Sequence, residues 1–224
     1  MKKRILMSAL LLTSLLVSAQ KDWANFGRYE KANKHAEKNA KAVFIGNSIT
    51  DNWYNVDSAF FKINDFIGRG IGGQTTSEIL VRFRADVIKL KPDAVVILAG
   101  TNDIAENNGY ISLENIMGNI KSMAELAKAH KIKVFLCTVM PVYVYPWRPE
   151  IKDPAEKIQK LNVMIKAFCE KQKFTYVDYY TPFVDERGGL PEKYAADGVH
   201  PNLDCYKIME KIVLKDINKV LKKR

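Results

Sequence analysis

The chain has 224 residues, 47% of them apolar and 27% charged. That is enough to bury one core of ordinary size and too mixed for a disordered or fibrous chain. The formal charge is +10, but the lysines are interleaved with Glu and Asp on amphipathic stretches instead of massing on one element. The composition therefore describes a solvated basic surface and argues against a nucleic-acid footprint.

The first residues read as a targeting segment. Met1-Lys2-Lys3-Arg4 is basic, Ile5 to Val17 is apolar, and Val17-Ser18-Ala19 supplies small residues at a cleavage site. The apolar stretch is shorter than the roughly 20 residues a membrane-spanning helix needs, so the pattern predicts a secretory signal over 1–19 and one domain over 20–224. No cysteine follows the apolar stretch, which argues against a lipid anchor. The mature chain is expected to be periplasmic or secreted, with no stable membrane insertion. Losing the three cations of the leader brings the charge to +7.

Beyond the leader, residues 22–40 predict a polar helix. Apolar runs at 42–45, 94–99, 133–139 and 174–177, with a weaker strand-like stretch at 63–67, predict five strands, and the continuous runs suit strands of a parallel sheet buried on both faces. Helical periods run through Leu113, Ile116, Met117, Ile120 and Ala127, then through Ile158, Leu161, Ile165 and Phe168. A last one carries Met209, Ile212, Val213, Ile217 and Val220. Strand–helix alternation implies an α/β domain with a doubly wound parallel sheet and helices on both faces. Cys137, Cys169 and Cys205 fall in apolar strand or helix patterns and are expected to be buried and unpaired. No Cys/His spacing suggests a metal.

In such a sheet, ligands sit beyond the carboxyl ends of the strands. Four segments fall there: Gly46-Asn47-Ser48, Gly68-Arg69-Gly70-Ile71-Gly72-Gly73, Gly100-Thr101-Asn102-Asp103 and Asp197-Gly198-Val199-His200. Ser48 is a candidate nucleophile that needs an adjacent base. Of three histidines, His35 lies in the polar leading helix and His130 at a helix C-terminus; His200 alone lies in a loop at this edge. Asp197, three residues earlier, can hold one imidazole nitrogen and leave the other facing outward. The backbone N–H groups of Ser48 and Gly73 and the amide of Asn102 are candidate oxyanion donors.

Together these four segments resemble the conserved blocks of the SGNH/GDSL hydrolases, and the resemblance spans nearly the whole mature chain. It implies a three-layer flavodoxin-like domain with a central five-stranded parallel sheet, and ester hydrolysis without a metal or other cofactor. Residue by residue, it implies that Ser48, Gly73, Asn102 and His200 are the four name-giving residues and Asp197 the third triad member. One departure is Asn47, where the family's first block has Asp.

Two other classes compete. Gly68, Gly70 and Gly73 satisfy the G-x-G-x-x-G pattern of dinucleotide sites, but the pattern follows the second strand and lacks the acidic residue about 20 positions on. A carbohydrate-binding module would not need Ser48, Asp197 and His200 together.

The segment after the fourth strand carries Tyr143, Tyr145, Trp147 and Arg148, and should overhang the site with Trp53 and Tyr54 nearby. The rings are expected to stack on sugar and Arg148 to grip an anionic group. Exported members of this family type are often carbohydrate O-acetylesterases, so short acyl esters on carbohydrate are the leading substrate. The run Ile71-Gly72-Gly73-Gln74-Thr75-Thr76 also resembles the platelet-activating-factor acetylhydrolase branch, which makes lipid esters the alternative.

Overall fold

The computed structural model describes residues 22–36 and 39–221. The expected leader over 1–19 lies outside them. The leading helix α1 spans Gly27–His35 and is followed by β1 (Ala42–Gly46), α2 (Ser48–Val56), α3 (Ser58–Ile63) and β2 (Phe66–Gly70). Next come α4 (Thr76–Asp86), β3 (Ala94–Leu98), the single turn α5 (Thr101–Ile104) and α6 (Leu113–Ala129). The chain continues through β4 (Lys133–Cys137), α7 (Pro154–Gln172), β5 (Thr175–Val177) and α8 (Leu203–Val220). All neighbouring strands are parallel, in the order β2-β1-β3-β4-β5.

Alternation along the strands makes two cores. Val43, Ile45, Val95, Ile97, Val134 and Leu136 face one layer, packed by α4, α6 and α7. Ala42, Phe44, Ala94, Val96, Phe135 and Cys137 face the other, packed by α2, α3 and α8. Both faces are covered, which is why β1 and β3 read as unbroken apolar runs. The three cysteines are free and buried. Among the described residues, no helix is long and apolar enough to cross a membrane.

Two expected elements differ. The second strand is shifted to Phe66–Gly70 because Asp57 caps α3 through the Phe60 N–H, and Ile63 ends that helix in solvent. Gly68 and Gly70 are therefore strand residues, not a phosphate-cradling loop. A Cβ on Gly68 would lie 3.0 Å from the Tyr54 ring, and one on Gly70 would lie 2.1 Å from the Asp51 backbone nitrogen. These glycines let α2 lie directly on the sheet. That close packing accounts for two of the three glycines behind the dinucleotide reading.

The leading helix is the second difference. It covers Gly27–His35, not 22–40: Asn25 has a left-handed backbone (φ 56°), and the Gly27 N–H donates to Asp22 at 2.8 Å.

Candidate active site

β1 ends at Gly46, and the chain turns at once into α2. Asn47 is the cap: its Oδ1 accepts the Ile49 N–H at 3.1 Å, which places Ser48 at the first position of the helix. An aspartate would accept the same bond, so this turn needs no charge at position 47.

The partner of Ser48 arrives from the other end of the chain. Asp197 forms a tight turn in which its Oδ1 accepts from the Val199 N–H (2.9 Å) and the His200 N–H (2.8 Å), with Gly198 in a left-handed conformation (φ 74°). Val199 is buried as the anchor of the turn, and Asn202 caps α8 through the Cys205 N–H. This geometry brings the Asp197 Oδ2 to 2.6 Å from His200 Nδ1 and His200 Nε2 to 2.9 Å from Ser48 Oγ. A carboxylate has no proton to give, so Nδ1–H is the donor and Nε2 is left to accept from the serine hydroxyl. Partial burial pushes the Asp197 carboxyl up. Donation from the His200 ring and from the His200 and Val199 backbones outweighs this and holds it below the usual carboxylate range.

The remaining predicted residues gather on the same edge. A Cβ built on Gly72 would lie 4.0 Å from the Ser48 Cβ, so the 72–73 loop rests against the serine. Gly73 has φ 78°, which favours glycine. The Asn102 amide donates to the Gln74 carbonyl at 3.0 Å, tying the end of β3 to that loop.

Of the expected aromatic wall, only part faces the site. Trp147 is 39% exposed, and its ring lies 6.0 Å from that of His200. Its indole N–H donates to Asn107 at 2.9 Å. Tyr143 is exposed, with the Arg187 guanidinium 5.6 Å from its ring centre. Trp53 and Tyr145 need correction. Trp53 is 1% exposed: it stacks between Phe60 and Tyr206, and its indole N–H donates to Glu210 at 3.2 Å. Tyr145 is buried behind Trp147, with its hydroxyl 2.9 Å from that of Thr101. Arg148 is spent on the Glu106 carbonyl (2.7 Å) and the Glu150 carboxylate (2.5 Å), so it braces the 105–111 loop instead of presenting a free cation.

Sequence reasoning missed two bracing residues. Arg82, fully buried in α4, donates to the Gly46 carbonyl (2.9 Å), the Gln74 side chain (2.6 Å) and the Asp86 carboxylate (2.8 Å). It thus locks the residue two before Ser48 to the residue after Gly73. Asp103 accepts from the Thr76 N–H (2.9 Å) and hydroxyl (2.5 Å), fastening the Asn102 turn to the start of α4. Burial raises the Asp103 carboxyl, against the lowering effect of the Thr76 bonds. Thr75 followed by Glu78 was a legible helix-start signal for α4, and Glu78 does accept the Thr75 N–H at 2.8 Å.

A serine hydroxyl within hydrogen-bond reach of an imidazole that a carboxylate orients, at one parallel-sheet edge, is an arrangement chemically suited to acyl transfer. The model of the GDSL-like lipase/acylhydrolase family matches residues 44–208. The chain belongs to that family, a class of carboxylic ester hydrolases. It is 48% identical to a putative acylhydrolase of Bacteroides fragilis of known crystal structure, with a TM-score of 0.89 over 91% of this chain and 100% of that one. A 94-residue stretch is 35% identical to the uncharacterized lipoprotein YqeF of Bacillus subtilis, covering 40% of this chain and 39% of that one, so the match spans well under half of that curated relative. The chain is also 25% identical over 160 residues to an acetylxylan esterase of Geobacillus stearothermophilus, covering 67% of this chain and 71% of that one.

Proposed function

We propose that this protein is an exported serine esterase that removes short acyl groups, acetyl above all, from carbohydrate through an acyl-Ser48 intermediate. The observation that carries this reading is the unbroken chain of contacts from Asp197 through His200 to Ser48. In the proposed mechanism, Ser48 Oγ attacks the ester carbonyl as Nε2 of His200 takes its proton. Asp197 holds the imidazole tautomer and stabilises the imidazolium. The developing oxyanion is met by the N–H groups of Ser48 and Gly73 and by the Asn102 amide, which has a second N–H besides the one given to Gln74. His200 returns the proton to the departing alcohol. Water activated by the same base then releases the acid and regenerates Ser48.

A short acyl group is supported by the relative named as an acetylxylan esterase, and a hydroxyl-rich alcohol by the Asp22, Glu78 and Asn108 side chains of the cleft that Gly72 borders. Export is supported by the basic–apolar–small pattern of residues 1–19. The reading is tested by acetate release from a panel of acetylated glycans, alongside acetate and octanoate p-nitrophenyl esters. Acetate preferred over octanoate supports it, and faster octanoate turnover contradicts it.

A further inference from the structure

Building on the esterase reading, we infer that the cleft between the N-terminal turn and the 105–111 loop binds neutral sugar residues of the alcohol half of the substrate, with Trp23 and Tyr110 as its stacking platforms. The cleft has a volume of about 820 Å³ and is bordered by Gly72, the residue that rests against Ser48. That volume is within the roughly 300–1,000 Å³ of small-molecule sites. Chain running out of the ester site on this side would enter it directly.

Both rings are held out in solvent by well-fastened backbone. Trp23 is 56% exposed, although its neighbour Ala24 is fully buried and the Ala24 carbonyl accepts from Gln74 Nε2 at 2.8 Å. Tyr110 is 79% exposed on a loop tied down at two points: Asn107 donates to the Gly73 carbonyl (3.1 Å), and Asn108 donates to Glu78 (2.8 Å). Rings fixed in advance lose little freedom when a ligand stacks on them, so more of the contact energy appears as affinity.

The rest of the lining selects among ligands. Asp22, Glu78 and Asn108 are among the polar side chains that border the cleft, and among the described residues no Lys or Arg lines it. Carboxylates and amides match sugar hydroxyls as hydrogen-bond partners. A uronate or a lipid phosphate would instead meet carboxylates of like charge, which disfavours both.

The test uses the full mature chain. First, Ser48→Ala is titrated calorimetrically with unacetylated xylo- and manno-oligosaccharides, alone and combined with Trp23→Ala or Tyr110→Ala. Each ring removed should weaken binding about three- to tenfold. Second, kcat/KM is measured for acetylated oligosaccharides relative to p-nitrophenyl acetate, and this ratio should fall by a similar factor in Trp23→Ala and Tyr110→Ala. Unchanged binding and an unchanged ratio in both variants would overturn the inference. So would saturable, Trp23-dependent binding of a choline phospholipid without binding of either glycan. The calorimetric arm does not depend on hydrolysis. Sugar binding without ester cleavage therefore counts against the esterase reading alone, and cleavage without ring dependence counts against the cleft alone.

Discussion

His200 Nε2 lies 2.9 Å from Ser48 Oγ although 152 residues separate them. Two independent local devices meet across that gap: the Asn47 cap that sets Ser48 at the start of α2, and the Asp197 turn that aims the imidazole. The first prediction concerns the second device. Asp197→Asn keeps an oxygen for the two backbone bonds but removes the charge that fixes the tautomer, so kcat should fall roughly 10³–10⁴-fold. A loss of less than about tenfold would show that the carboxylate is only structural.

The same substitution has a pH signature. The Asp197 carboxyl is depressed in the folded state, so it adds stability above its unfolded pKa of about 4 and loses it as pH falls through the lower folded value. Wild type should melt above Asp197→Asn at neutral pH, and the gap should close as the pH drops below about 4. A gap of constant size across that range would contradict the assignment.

Asn102 is predicted to act on the transition state. Asn102→Ala should lower kcat about 10²–10³-fold, with KM much less affected. A rise in KM with kcat intact would place the amide in ground-state binding instead.

Arg82 is predicted to be a positioning residue whose loss is first a loss of stability. Arg82→Met leaves the buried Asp86 carboxylate without its cation and should cost about 3–5 kcal/mol in urea unfolding. It also frees the Gly46 carbonyl and Gln74, so kcat should fall in the folded fraction.

The two tryptophans should separate cleanly. Trp53→Ala opens a hole among Phe44, Phe60 and Tyr206 and should destabilise by about 3–5 kcal/mol. Trp147→Ala, at a half-exposed ring beside His200, should change stability by less than about 1 kcal/mol and act on the kinetics.

That contrast shows what the amino-acid sequence made legible. β1 and β3 were readable because both their faces are buried and every position is apolar. Asp197 and His200 were readable because three residues of one turn join them. The edge strand β2 was misplaced because Gly68-Arg69-Gly70 carries no apolar signal; its glycines answer to a helix packed on top, a tertiary fact. Helix α4 showed only its Thr75–Glu78 start signal, because Thr76, Arg82 and Asp86 are buried polar residues that break the apolar period, and Thr76 and Arg82 find partners in the distant Asp103 and Gly46. Ring chemistry alone did not say which side of the sheet edge Trp53, Tyr145 and Trp147 would face. Burial decided that.

The central claim is that Ser48 carries the acyl group. Wild type and Ser48→Ala should be compared on p-nitrophenyl acetate, with the quenched wild-type enzyme examined by peptide mass spectrometry. We expect steady hydrolysis by wild type, an acetyl group on the peptide containing Ser48, and neither in the variant. Equal rates in the two proteins, with no acetyl on that peptide, would contradict the account.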